Sequence, residues 1–366
     1  MKILHTEASP GWGGQELRIL HEAQGMRARG HQVIFAIQEG GGLVGPARES
    51  GFLVYEIPFR KTKIFQILYQ LMHLMRKQRI EIVNTHSSLD AWLGGIAGKI
   101  SGCRVIRTRH LSTPIRKGIN SRILYNWLAD YVVTTCEEAA KAIRIQANLS
   151  VHRCLSIPTG VDPTKICYEP EAVTKFRTDL GLQPEDCLAG TLCVLRGWKG
   201  VTDLLHAAKI LEDVPNLKWI VIGSGVSEAQ FRKERKELGL EQKVIFTGHL
   251  SPPFTALAAI DIFLLLSWAN EGVSQASLQA AWLEKPLVTT PTGGLREVCI
   301  ENKTGFQVPK HYPQAVAEAV LRLAQSSELR KQMGEKAKSL VSEKFTLENT
   351  LDHMEAIYNR LNLDRL

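Results

Sequence analysis

The sequence predicts an α/β protein of two domains, each built on a parallel sheet. Three observations carry this expectation. At 366 residues the chain is longer than one hydrophobic core usually organises. Strand-length apolar runs alternate with helix-length amphipathic segments, the order that builds parallel sheets. The alternation also starts twice, once at Lys2 and again at Cys187, and the segment Ser156 to Asp162 reads as the crossing. The domains are drawn as residues 1–158 and 159–346, followed by a tail, residues 347–366.

In order, Lys2 to Thr6 is a strand, Pro10 to Gly14 a glycine-rich loop, and Gln15 to Arg29 an amphipathic helix closed by Gly30. Further strands are Gln32 to Ile37, Leu53 to Ile57, Glu81 to Thr85, Arg104 to Thr108 and Tyr131 to Thr135, each an apolar run with branched residues. Between the third and fourth, Arg60 to Arg79 carries Ile64, Ile67, Leu68, Leu71, Met72 and Met75 at helical spacing, broadened by Phe65 and Leu74. The second series runs from Cys187 to about Val308. Pro313 to Leu363 is helical, with breaks near Ser326 and Phe345.

Apolar and charged fractions are ordinary for a globular protein. No run approaches the ~20 apolar residues of a membrane span, and strand sequence starts at once, so the expected location is the cytoplasm. Seven cysteines without a C-x-x-C point to reduced thiols. With no D-x-D triplet and scattered histidines, no metal site is expected. The net charge of +8 belongs to the first half, where Met1 to Pro158 holds 21 lysines and arginines against 11 acids. No acid occurs from Ile57 to Ile80 or from Ala91 to Ala129. Such a surface suits an anionic partner, whether membrane, acidic glycolipid or nucleic acid; a merely soluble basic surface is the alternative. The Arg60–Arg79 helix reads either as a cover for the sheet or as an interfacial helix. Arg60, Lys61, Lys63, Arg76, Lys77 and Arg79 bracket it.

Leu264 to Val298 is the stretch richest in site features. Its apolar start, Ile262 to Leu266, reads as a buried strand with Glu271 and Gly272 at its mouth. A helix follows from near Ser274, then a short strand, Leu287 to Thr290, and the loop Thr292-Gly293-Gly294. Ligands of open α/β sheets bind outside the carboxyl ends of the strands, and free N–H groups at a helix start hold phosphate. Glu271 and Gln279 are separated by roughly 9 to 12 Å along the helix. That spacing suits the two ends of a sugar–diphosphate–ribose. Elsewhere, the GWGG loop at Gly11 to Gly14 is either a ligand-approach loop or a tight turn. Arg196 and Lys199, after the first strand of the second series, can neutralise a departing diphosphate or simply be solvated. His110 ends a strand and is structural or functional on its own evidence.

Glu271-Gly272 with a second polar position at Gln279, the Gly293-Gly294 loop and Gly13-Gly14-Gln15-Glu16 resemble the signature of retaining glycosyltransferases of family 4. The family has an acid where this chain has Gln279. The resemblance covers nearly the whole chain. It implies the GT-B fold: two Rossmann-like domains with parallel sheets facing each other across a cleft, the last helix (Leu347 to Leu363) crossing back to the first domain. It also implies roles. Glu271 would hold donor-sugar hydroxyls, with His110 on the opposite wall, while Arg196, Lys199 and the helix start at Gly272, Val273 and Ser274 take the diphosphate. Gln279 would meet the ribose. Gly223 and Gly248, each at a strand end, would shape the nucleotide pocket through backbone atoms. Gly13 and Gly14 would lie near the donor phosphate and the acceptor.

The expected function is retaining transfer of a sugar from a nucleoside-diphosphate-sugar to a glycan or glycolipid acceptor, with no metal or other cofactor. The basic first half makes an anionic glycolipid such as lipopolysaccharide core the favoured acceptor, met at the cytoplasmic face of a membrane, with no nucleic acid as partner. Two other readings remain open. One is a sugar-nucleotide epimerase of the same fold; the other is a nucleotide-sugar-binding protein without turnover, suggested by Gln279.

Overall fold

Runs of branched apolar residues become strands buried on both faces. A computed structural model describes residues 1–110, 115, 118–269 and 271–363. Asn270 and the last three tail residues, 364–366, therefore lie outside the described residues. The chain divides into two units, Met1–Thr159 with Leu347–Leu366, and Gly160–Thr346.

The first unit holds β1 (Lys2–Glu7), β2 (Gln32–Gln38), β3 (Leu53–Ile57), β4 (Ile82–Thr85), β5 (Arg104–Arg109), β6 (Tyr131–Thr134) and β7 (Cys154–Ser156). All pair in parallel, in the order β3-β2-β1-β4-β5-β6-β7. Successive side chains point to opposite faces. Ile3, Phe35 and Ile106 pack on one side against the helix Gly14–Ala28, while Leu4, Ile34 and Val83 pack on the other against Ile64–Gln78 and Ser88–Ile100. The strand β7, absent from the expected strands, ends at Ser156 where the expected crossing starts; three residues are too few to carry a periodicity.

The C-terminal helix Leu347–Leu363 belongs to this unit. Leu351, Met354, Ile357, Tyr358 and Leu361 enter the same core as Ile19, Leu20, Ala23 and Met26. Burying each of these side chains stabilises by about 1.5–3 kcal/mol. Arg29 pairs with Glu348, Asp352 and Glu355 at 2.6, 2.7 and 2.8 Å across the seam.

The helix expected over Arg60–Arg79 runs Ile64–Gln78 after a 3₁₀ turn at Lys61–Lys63. Its apolar residues divide differently from the expected stripe. Ile67, Leu71, Leu74 and Met75 are buried on the sheet, whereas Phe65 is 89% exposed and Ile64 is also at the surface. Most of the stripe therefore belongs to the core, as in an ordinary covering helix.

The second unit holds β8 (Cys187–Leu192), β9 (Leu217–Ile222), β10 (Val244–Gly248), β11 (Ile262–Leu265), β12 (Leu287–Thr289) and β13 (Gly305–Gln307), in the order β10-β9-β8-β11-β12-β13. These strands also pair in parallel. One face packs Trp219, Val221, Leu264 and Val288 against Leu204, Leu205, Val316 and Val320. In each sheet the order reverses once, beside β1 and β4 in the first and beside β8 and β11 in the second. These are the switch points at whose carboxyl ends α/β proteins bind ligands.

Candidate active site

At the switch point of the second sheet, the turn after β8 meets the segment after β11. Lys199 Nζ donates to Glu271 Oε1, the Lys199 side chain being 18% and that of Glu271 6% exposed. Local backbone brings them together. The residues Gly197–Lys199 form a 3₁₀ turn, and Trp268 N–H donates to the Trp198 carbonyl at 3.0 Å. Gly200 has φ 73°, and a Cβ there would lie 2.2 Å from the Leu266 carbonyl oxygen. Only glycine permits both that φ and that approach. Arg196 is exposed, its guanidinium 5.2 Å from the Trp198 ring centroid.

The helix Gln275–Trp282 starts three residues beyond Gly272, with Ser274 as its N-cap accepting from Ser277 N–H at 3.4 Å. Gln279 lies within it, half-buried. The Gly293-Gly294 loop packs directly behind this entry: a Cβ on Gly294 would fall 2.4 Å from Val273 N. Gly223 and Gly248 are joined, Gly223 N–H donating to the Gly248 carbonyl at 2.9 Å. The structure thus gathers Arg196, Lys199, Glu271, Gly272, Val273 and Ser274 around the ends of β8 and β11, and Gly223 and Gly248 around the ends of β9 and β10. A basic pair, a buried carboxylate and a helix start can together bind a polyhydroxy ligand carrying a diphosphate.

The first unit has its own cluster at its switch point. Gly13 and Gly14 open the helix Gly14–Ala28 after β1, and His110 follows β5. His86 lies between, its Nδ1 3.0 Å from His110 Nε2 and its Nε2 2.8 Å from His5 Nδ1. Burial holds all three imidazoles below the ordinary value of 6.5, and Arg18 and Arg107 add to this at His86 and His110. Beside them Glu7 accepts from Ser87 Oγ, from Gln15 Nε2 and from Ser9 N–H at 2.7 Å. Burial, then the Asp90 charge, raises the Glu7 carboxyl to about 7. Asp90 accepts from Thr6 Oγ1 at 2.9 Å and from the His86 and Ser87 N–H groups at 2.8 Å. Burial raises it to about 6 despite Arg107.

His5, Glu7, His86, Ser87 and Asp90 are absent from the residues the sequence suggests. Their signal was their place at the ends of β1 and β4, but the strand order that makes this pair of ends a switch point is not written in local pattern. Among the described residues, no group of three or more His, Cys, Asp and Glu side chains is placed to hold a metal.

Two families follow one another along the chain. Residues 12–165 match the one described as Glycosyltransferase Family 4, and residues 173–340 the one described as Glycosyl transferases group 1. The chain is 26% identical over 312 residues to the capsular polysaccharide biosynthesis glycosyltransferase CapM of Staphylococcus aureus, covering 80% of each protein. The structure resembles Anabaena HepE in complex with UDP and glucose, with a TM-score of 0.85 at 21% identity over 98% of this chain and all of that one. It also resembles the lipopolysaccharide outer core galactosyltransferase WaaB, with a TM-score of 0.76 at 16% identity over the whole of both chains. With the two families matched in tandem and two parallel-sheet Rossmann-like units beneath them, the chain belongs to the GT-B glycosyltransferases of the family 4 type.

Proposed function

We propose that the protein transfers a sugar from a nucleoside-diphosphate-sugar to a glycan or anionic glycolipid acceptor, with retention at the anomeric carbon and without a metal. The observation that carries this reading is the Lys199–Glu271 pair at the second switch point, next to a helix start. On donor binding, Lys199 and Arg196 face the diphosphate with the N–H groups of Gly272, Val273 and Ser274, and Glu271 accepts from sugar hydroxyls. Gln279 meets the ribose. The loops at Gly223 and Gly248 frame the base, and those at Gly13 and Gly14 border the acceptor. The C1–O(phosphate) bond breaks as the acceptor oxygen bonds to the same face of C1, its proton passing to the departing phosphate. No enzyme nucleophile is used. The complex of HepE with UDP and glucose supports a nucleotide-sugar donor.

The acceptor we favour is the lipopolysaccharide core type, at the cytoplasmic face of a membrane. The kinship with WaaB supports it, as does the surface of the first unit. There Phe65 and Tyr69 are exposed on the helix Ile64–Gln78 along with Arg60, Lys61, Lys63, Arg76 and Lys77 on it and just before it. Aromatic side chains among cations suit an interface with anionic headgroups. Proton NMR of the product anomer tests the chemistry. The anomeric configuration of the donor should be preserved, and activity should survive EDTA. An inverted product, or a full metal-reversible loss, removes the corresponding half of the proposal.

A further inference from the structure

His5, His86 and His110 come from three different elements: β1, the residue after β4 and the residue after β5. Their rings form one hydrogen-bonded file. His5 and His86 stack with centroids 5.1 Å apart and planes 7° apart, and His86 and His110 follow at 5.2 Å and 35°. His5 and His86 are 0% and 2% exposed.

A neutral imidazole has one N–H and one acceptor nitrogen. His86 uses both nitrogens within the file, so its tautomer dictates those of its neighbours. If His86 carries Nε2–H, it donates to His5 Nδ1 and accepts from His110 Nε2–H. If it carries Nδ1–H, every bond reverses and His110 becomes the Nδ1–H form. The file therefore has two states and no mixed one.

Surrounding charge chooses between them. Glu22, on the helix Gly14–Ala28, acts on His5, and its Oε2 is buried without a hydrogen bond, as is His5 Nε2. Arg18 on the same helix and Arg107 on β5 act on both His86 and His110. Asp90, on the helix Ser88–Ile100, holds the His86 backbone N–H, and Glu7 on β1 is bonded through Ser87. With Glu22 acting at the His5 end of the file and Arg18 and Arg107 at the His110 end, the favourable dipole has the N–H groups running from His110 towards His5.

We infer that His5 and His86 are positioning residues that hold His110 as its Nε2–H tautomer, presenting Nδ1 as an acceptor for a hydroxyl of the donor sugar. This rests on the reading that His110 meets the donor. Without its neighbours, His110 would divide between two tautomers, only one of which accepts the hydroxyl proton.

The tautomers are read directly by two-bond ¹H–¹⁵N correlation on the full chain with ¹⁵N-labelled histidine, assigned by single substitutions. All three rings should be neutral Nε2–H forms at pH 8. A His110 signal of the Nδ1–H form, or a mixture, overturns the inference. Two variants give a second arm. In His86→Gln the amide oxygen accepts from His110 and the amide N–H donates to His5, so His110 should keep the Nε2–H form alone. In His86→Phe the ring stacks but cannot bond, and the His110 signals should show both tautomers, with kcat/KM lowered by the fraction that leaves the Nε2–H form. An unmixed Nε2–H signal in His86→Phe, or a mixture in His86→Gln, contradicts the inference. Should His86→Phe not fold, the wild-type spectrum and His86→Gln still decide it. Normal turnover in His110→Ala would refute the contact with the donor while leaving the tautomer result to stand or fall alone.

Discussion

Lys199 shows what one residue must do in two states of the protein. With no diphosphate bound, its charge is matched by Glu271 in a nearly buried pair. Removing one partner of such a pair leaves the other with less of its charge matched, which costs about 1–3 kcal/mol. Lys199→Ala should therefore destabilise the second unit by that order in urea unfolding, and also lower turnover by ~100-fold or more. The double variant Lys199→Met with Glu271→Gln should recover most of the stability and none of the turnover. Recovery of turnover would remove both side chains from the chemistry, and unchanged stability in Lys199→Ala would refute the pairing. Both residues were legible in the sequence because each follows an apolar run at a strand mouth. That they touch was not legible, since Gly200 lying against Leu266 and the Trp268–Trp198 bond are contacts between distant segments. His5 and His86 were hidden for a related reason. Each looks like a lone histidine until the strand order puts β4 beside both β1 and β5.

At the scale of elements, the carboxyl ends of β1 and β4 carry acids held partly protonated. Below the ordinary carboxylate value of 4.5, Glu7 is protonated in folded and unfolded chains alike, and its burial costs nothing through ionisation. As the pH rises towards about 7 the unfolded chain releases this proton first, so stability is lost across that window. The histidines act in the opposite direction. Above 6.5 they are neutral in both states, and stability is lost as the pH falls below that value, because only the unfolded chain takes up protons readily. Glu7→Gln should match wild type in thermal midpoint near pH 4 and exceed it increasingly towards pH 8. A constant difference across that range would show that Glu7 titrates alike in the folded and unfolded chains. The strands themselves were readable because uninterrupted branched apolar runs suit a sheet covered on both faces. The division of the Ile64–Gln78 helix was not. Its spacing marks Ile64 and Phe65 as members of the apolar face, yet both sit in the first turn of the helix and lie at the surface.

For the whole molecule, charge and chemistry point the same way. The excess of cations lies in the first half of the chain, and the six that flank the Ile64–Gln78 helix are all exposed. Vesicles containing anionic lipid should bind the protein, less so as salt is raised, since the attraction is screened over about 10 Å at 0.1 M. Changing Arg60, Lys61, Lys63, Arg76, Lys77 and Arg79 to Gln should weaken this binding and leave donor affinity unchanged; equal binding to neutral vesicles would contradict the electrostatic account. The central claim is transfer by the site around Lys199 and Glu271. It is tested most directly by mass spectrometry of an envelope glycolipid extract incubated with a panel of nucleotide sugars, using wild type and the double variant Lys199→Met with Glu271→Gln. Wild type should add the mass of one sugar to an acceptor from one donor of the panel, and the double variant should add none. No mass gain with any donor, or conversion of the donor to its epimer with the acceptors untouched, would contradict it.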